Sequence, residues 1–221
     1  MIRGVAFDMD GLMFDTERLG LEAWEHVGRA QGFQMPRALW VSVFGMNGED
    51  IRKTILSRLG ENFDYDGHWK SIIAYINRQV ESGGTPMKPG LKELLDYLKR
   101  NGYRFALASS TPRYRVEYYL KHAGVLDDFK TIVCGDMVRH GKPEPDIYLE
   151  ATYQMGLQPE ECMALEDAPR GILSAYRAGL RPVMIPDLIE PDEQTLSLLY
   201  KKLSTLHEVI PLLEADRMER S

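Results

Sequence analysis

Asp8 and Asp10 stand one residue apart at the end of the apolar run Val5-Ala6-Phe7, followed by Gly11 and then Asp15-Thr16. Two carboxylates this close repel each other unless a cation or a shared proton relieves them. The stretch therefore points to a metal site whose remaining parts lie further along the chain. Ser109-Ser110 follows Leu107-Ala108, Lys142 sits in Gly141-Lys142-Pro143, and Glu166-Asp167 closes Met163-Ala164-Leu165. Singly, each has a plain explanation. Asp-x-Asp-Gly can open a calcium loop, but that pattern needs a third ligand before its Gly and a later Glu; here Leu12-Met13-Phe14 follows Gly11. Ser109-Ser110-Thr111 alone reads as a helix cap, and Lys142 alone as a solvated charge.

Together these groups suit phosphoryl transfer. The acids are hard oxygen ligands of the kind Mg²⁺ takes. Lys142 offers a compact positive charge to a phosphoryl oxygen. Ser109 and Ser110 precede a helix at Pro112, where hydroxyls and free backbone N–H groups favour an anion. An aspartate can attack phosphorus to form an aspartyl phosphate, while a second acid protonates the leaving oxygen and then activates water.

The elements that must hold these groups follow from periodicity. Ile2–Phe7 reads as a buried strand. Thr16 is positioned to cap a helix with Leu19, Ala23, Trp24 and Val27 on one face, stopped at Gly32. Helical patterns follow over Pro36–Phe44, Glu49–Leu59 and Trp69–Val80, until Ser82-Gly83-Gly84-Thr85-Pro86 breaks them. From Pro89-Gly90 the rhythm alternates. Helices are expected at Leu91–Leu98, Arg113–Ala123, Asp146–Met155 and Ala168–Ala178, and strands at Tyr103–Ala108, Thr131–Cys134, Met163–Leu165 and Pro182–Ile185. Glu193–Glu214 reads as two short helices. Alternation of this kind predicts an α/β fold with a mostly parallel, Rossmann-like sheet and helices on both faces. Residues 1–15 and 88–221 would form that core, with 16–87 an inserted helical cap. In such sheets ligands bind outside the carboxyl ends of the strands, and each of the four groups above falls at or just beyond such an end.

Composition narrows the classes. The 221 residues are 44% hydrophobic and 27% charged, ordinary globular values. A net charge of −6, from 27 Lys+Arg against 33 Asp+Glu, disfavours nucleic acid as a partner. It leaves room for a small anionic substrate held by a few local cations. Cys134 and Cys162 are too few for a disulfide framework and read as buried thiols. No membrane span and no leader are apparent, so a cytoplasmic protein, monomeric or weakly dimeric, is expected.

Asp8-x-Asp10-Gly11-x3-Asp15-Thr16, Leu107-Ala108-Ser109-Ser110, Gly141-Lys142-Pro143-x-Pro145-Asp146 and Leu165-Glu166-Asp167-x3-Gly171 resemble the four motifs of the haloacid dehalogenase superfamily. The helical insertion is similar to the C1-type cap of its β-phosphoglucomutase-like phosphatases. The resemblance implies that Asp8 is the nucleophile and a Mg²⁺ ligand. Asp10 would be the general acid/base, with its backbone carbonyl on the metal. It implies further that Ser109 and the Ser110 backbone hold the phosphoryl group, with Thr16 and Gly11 beside them. Lys142 would neutralise that group and Asp8, while Glu166 and Asp167 complete the metal site, Asp167 as the more direct ligand. The second acid, Asp10, favours phosphate esters over C–halogen or C–P substrates.

A β-phosphoglucomutase is the nearest rival. Those enzymes carry a hinge histidine four residues after the Thr of the first motif, and a cap arginine for a second phosphate. Here the first position is Gly20, and Gly45-Met46-Asn47-Gly48-Glu49-Asp50 contains no arginine. Both departures favour hydrolysis. A phosphometabolite sensor without catalysis is a third reading, against which the intact acid/base and lysine stand. His26, His68, His122, His140 and His207 lack ligand spacing, with His140 set apart only by its nearness to Lys142. Trp24, Trp40 and Trp69 read as packing aromatics of the insert, and Arg113 and Arg170 as surface charges close to motifs.

Overall fold

The structure, a computed structural model, describes residues 1–34, 36–46 and 48–218; Asn47 and the last three residues of the expected core lie outside them. Strands β1 (Gly4–Phe7), β2 (Arg104–Ser109), β3 (Thr131–Cys134), β4 (Cys162–Glu166), β5 (Arg181–Met184) and β6 (Lys201–Lys202) form one sheet in the order β3-β2-β1-β4-β5-β6. Every pairing is parallel. Chain direction across the sheet reverses beside β1, which places the ligand crevice of such a sheet at the ends of β1 and its neighbours.

The register separates a bulky face from a small one. Ala6 lies opposite Ala106 and Ala164, whereas Val5 lies opposite Phe105 and Met163. With Ala108 and Val133, the alanines form the floor for Ile147, Tyr148 and Ala151 of α7 (Asp146–Met155, counting helices along the chain). Phe7, Leu107 and Leu165 on the other face join a cluster that includes Leu94, Leu98, Val116 and Leu120. Those four belong to α5 (Leu91–Arg100) and α6 (Arg113–Ala123).

Four helices lie between β1 and α5: α1 (Thr16–Ala30), α2 (Arg37–Val41), α3 (Gly48–Leu59) and α4 (Tyr65–Gly83). Leu19, Ala23, Trp24 and Val27 are buried along one face of α1, as their spacing predicts, and α1 packs mainly on α4. Two local expectations need correction. Thr16 is the first helical residue and not the cap; Asp15 precedes it, and the Thr16 hydroxyl turns into the site. Helix α4 starts at Tyr65, before its apolar stripe, because the Asp64 carboxylate accepts the Gly67 N–H at 3.0 Å and caps it.

The chain enters and leaves this helical block along adjacent paths. The Asp15 N–H donates to the Pro86 carbonyl at 2.8 Å, and Lys88 N–H to Met13 at 2.9 Å. Lys88 Nζ bridges Asp15 and Asp187, and Arg18 reaches the same two carboxylates.

After β4 come α8 (Pro169–Arg177), α9 (Glu193–Leu198) and α10 (Val209–Met218). The two-residue strand β6 between the last two was not expected. Lys201-Lys202 carries no apolar signal because it is a short charged edge beside Val183 and Met184. Among the described residues no helix is long and apolar enough to cross a membrane.

Candidate active site

The sheet register brings the four motif groups to one edge. Phe7 pairs with Leu107 and Leu165, so Asp8 emerges directly beside the ends of β2 and β4, and its N–H is fixed by the Leu165 carbonyl at 3.0 Å. Lys142, 3% exposed, reaches this point from the loop before α7. Its Nζ donates to Asp8 Oδ1 at 2.5 Å, to Glu166 Oε1 at 2.6 Å and to the Ala108 carbonyl at 3.0 Å. The Tyr148 hydroxyl also donates to Glu166 Oε1, and the Lys142 ammonium lies 5.1 Å from the Tyr148 ring centre. The alanine floor lets α7 approach closely enough for that contact.

Two glycines make the acid cluster sterically feasible. A Cβ on Gly11, whose φ is +80°, would lie 2.1 Å from Asp167 Oδ2; one on Gly171 would lie 2.0 Å from the Glu166 carboxyl carbon. Gly171 lies in the first turn of α8 and lets that helix pass close over Glu166.

Asp10 is turned away from Lys142 and held at both oxygens. Thr16 Oγ1 donates to Oδ1 at 2.6 Å and Thr111 Oγ1 to Oδ2 at 2.8 Å. Ser109 is fully buried and accepts the Thr111 N–H at 3.1 Å; the Ser110 hydroxyl reaches across to the Gly45 carbonyl at 3.2 Å. Thr111 and Tyr148 went unrecognised in the sequence, Thr111 because it read as part of a cap and Tyr148 because it carries no signal beyond the helix expected over Asp146–Met155.

Asp8, Glu166 and Asp167 each present a carboxylate oxygen, and these atoms lie within 4.8 Å of one another. Burial is the main cause that pushes Asp8 up to about 8; Glu166 and Asp10 add to it, and Lys142 opposes it. Asp167 is raised well above the ordinary carboxylate range, again by burial first and then by Asp8 and Glu166. Burial pulls the Lys142 ammonium down, but Asp8 and Glu166 outweigh it and its net shift is upward. Acids in excess over their one buried cation, all with oxygen donors, fit a hard divalent ion such as Mg²⁺.

Other candidates are settled by their contacts. Arg170 is half-buried and donates to the Lys142 carbonyl at 2.6 Å, supporting the lysine loop from α8. Arg113 is exposed and pairs with Glu117. His140 pairs with Asp146 at 2.9 Å near the start of α7. Gly20 is buried against Trp40, and a Cβ there would lie 2.8 Å from Trp40 Cζ2. Trp40 therefore occupies the space into which a side chain at 20 would project.

These groups open on a cavity of about 220 Å³ between the sheet edge and the helical block. Arg115, which the sequence did not single out, lines it and is 7% exposed. Its guanidinium donates to Asn77 on α4 and to the Tyr119 hydroxyl, the latter at 2.8 Å. Glu17 lines it too, its carboxyl raised well above the ordinary range by burial and by Asp10.

Comparison with known proteins agrees with this geometry. The model of the haloacid dehalogenase-like hydrolases matches residues 5–185. A phosphorylated carbohydrates phosphatase of Thermotoga maritima is 30% identical over 82% of this chain and 84% of its own. A β-phosphoglucomutase of Bacillus subtilis is 30% identical over 91% of this chain and 95% of its own. The crystal structure of CbbY from Rhodobacter sphaeroides in complex with phosphate superposes with a TM-score of 0.80 at 27% identity, covering 95% of this chain and 96% of that one. The chain belongs to the haloacid dehalogenase-like hydrolases. Within them it is a phosphomonoester hydrolase, with the α/β architecture of the β-phosphoglucomutase-like members.

Proposed function

We propose that the protein is a Mg²⁺-dependent phosphatase of small phosphorylated metabolites that works through an aspartyl phosphate on Asp8. The observation that carries this is the convergence of Asp8, Lys142, Glu166 and Asp167 in one buried cluster, beside a second acid, Asp10, that is hydrogen-bonded outside it. An Asp8 oxygen attacks phosphorus, the ester P–O bond breaks, and the leaving oxygen takes a proton from Asp10. Asp10 then accepts a proton from water, whose oxygen attacks the same phosphorus and releases inorganic phosphate and the Asp8 carboxylate. Thr16 and Thr111 aim the Asp10 carboxyl, and Lys142 holds charge next to Asp8. Ser109, the Ser110 N–H and Gly11 would contact the transferring group. Asp8, Asp167 and the Asp10 carbonyl would hold the ion, with Glu166 kept mainly by Lys142 and Tyr148. When bound, the ion supplies charge neutralisation between nucleophile and phosphoryl oxygens.

The helices from 16 to 87 act in this reading as a cap over the core of 1–15 and 88–221. The substrate class is a small phosphomonoester, a sugar phosphate or similar, in line with the relative named for phosphorylated carbohydrates. Phosphoglucomutase chemistry is the second reading, favoured by the mutase among the relatives. Against it, Trp40 fills the space beside Gly20, and among the described residues that line the cavity Arg115 is the sole cation. Asp8→Asn should lower turnover of an aryl phosphate in Mg²⁺ by ~10⁴-fold or more with the circular dichroism spectrum unchanged. Near-wild-type turnover in that variant would sink the mechanism.

A further inference from the structure

The cavity above Asp8 has a wall on the helical side made almost entirely of hydrocarbon. Trp40, Phe44, Met46, Trp69, Ile73 and Ile76 face it, and the polar groups around it are largely engaged with one another. Thr16 and Thr111 donate to Asp10, the Ser110 hydroxyl donates to Gly45, and the two terminal nitrogens of Arg115 hold Asn77 and Tyr119. Among the described lining residues, what remains for a ligand is Glu17 and the leftover N–H groups of Arg115, with the polar ends of Tyr114 and Trp69 at the margin. A hydroxyl buried against such a wall without a partner weakens binding roughly five- to a hundredfold, so an alcohol bearing four or five hydroxyls is poorly served. The cavity's about 220 Å³ also lies below the range of drug-sized sites.

Resting on the phosphatase reading above, we infer that the substrate's alcohol portion is a compact, ring-bearing group. It has a broad apolar face and one or two polar atoms, the latter meeting Arg115 or Glu17. A polyhydroxylated sugar chain and a second phosphate are both poorer fits to the same wall, whose described residues offer few hydrogen-bond partners and no cation.

The test uses the full chain in Mg²⁺ with two esters of primary alcohols, 2-phenylethyl phosphate and glucose 6-phosphate, whose leaving oxygens differ little in reactivity. The expected kcat/KM ratio favours 2-phenylethyl phosphate by at least about tenfold, mostly through KM. Ile73→Gln, at a half-buried wall position that tolerates a polar side chain, should narrow that ratio by about fivefold or more. A ratio at or below one, or a ratio unmoved by Ile73→Gln, would overturn the inference and leave the phosphatase reading standing. If the folded protein turns over neither ester nor p-nitrophenyl phosphate, the phosphatase reading itself fails and takes the inference with it.

Discussion

On the sheet side of the active cavity the polar groups are engaged with one another: Lys142 joins Asp8 to Glu166, Tyr148 steadies Glu166, and Thr16 and Thr111 pin Asp10. On the helical side Trp40, Phe44, Trp69 and Ile76 offer shape and hydrocarbon, with few hydrogen bonds to give. A preorganised charged wall can act on any phosphoryl group, because that group is the same in every monoester. An apolar wall can discriminate only by what the alcohol portion lacks. On the proposed reading the sheet edge sets rate and the helices set selectivity, and variants on the two sides should separate accordingly.

The largest separation is expected at Asp10. Asp10→Asn should lower kcat/KM by about 10²–10⁴-fold, and by the same factor for 2-phenylethyl phosphate and glucose 6-phosphate, because both leaving oxygens need the same proton. Steady-state kinetics on both esters checks this. A loss confined to one ester would break the division between the two walls.

Lys142 tests whether the charged wall is also structural. Removing one partner from a buried, hydrogen-bonded ion cluster typically destabilises by about 3–5 kcal/mol, and Lys142 is 3% exposed between two carboxylates. Lys142→Met should therefore lower Tm in EDTA by on the order of 10 °C, with a smaller drop in Mg²⁺. Calorimetry in both buffers gives the answer; equal drops would mean that the cation and the lysine do not relieve the same acids.

The charged wall was legible in the sequence and the apolar one was not, for a physical reason. Asp8, Ser109, Lys142 and Glu166-Asp167 mark the ends of buried strands or the loop beyond one, and a parallel sheet brings those ends together whatever its loops do. Tyr148 and Arg115 join the site only through tertiary packing. Tyr148 needs the alanine floor beneath α7, and Arg115 needs α4 to lie against α6 so that Asn77 meets it. In sequence both look like ordinary positions of amphipathic helices. Ile72 and Ile76 carry the same periodic signal whether they face the core or a ligand, and Trp40 gives no hint that it will lie over Gly20. Thr16 misled for a related reason: its position before a helix suits a cap, and only the fold reveals that Asp10 is within its reach.

The smallest expected effect concerns pH and again sets the acids of the sheet edge against the neutral helical wall. Burial, aided by Glu166 and Asp10, pushes the Asp8 carboxyl from 3.8 up to about 8 in the metal-free fold, against the pull of Lys142, and Asp167 shifts the same way. Between those values the folded protein holds protons that the unfolded chain has released. This contribution to stability is complete below the unfolded pKa and is lost as pH rises through the folded one. In EDTA, Tm should therefore fall by several degrees between about pH 6 and pH 8.5, while the increment gained from Mg²⁺ grows, because the ion takes the place of the protons. Asp8→Asn should flatten the EDTA profile, whereas Ile73→Gln on the helical wall should leave its slope alone. A profile in EDTA that rises over this range, or one that both variants alter equally, would show that the acids of the sheet edge do not govern the pH dependence.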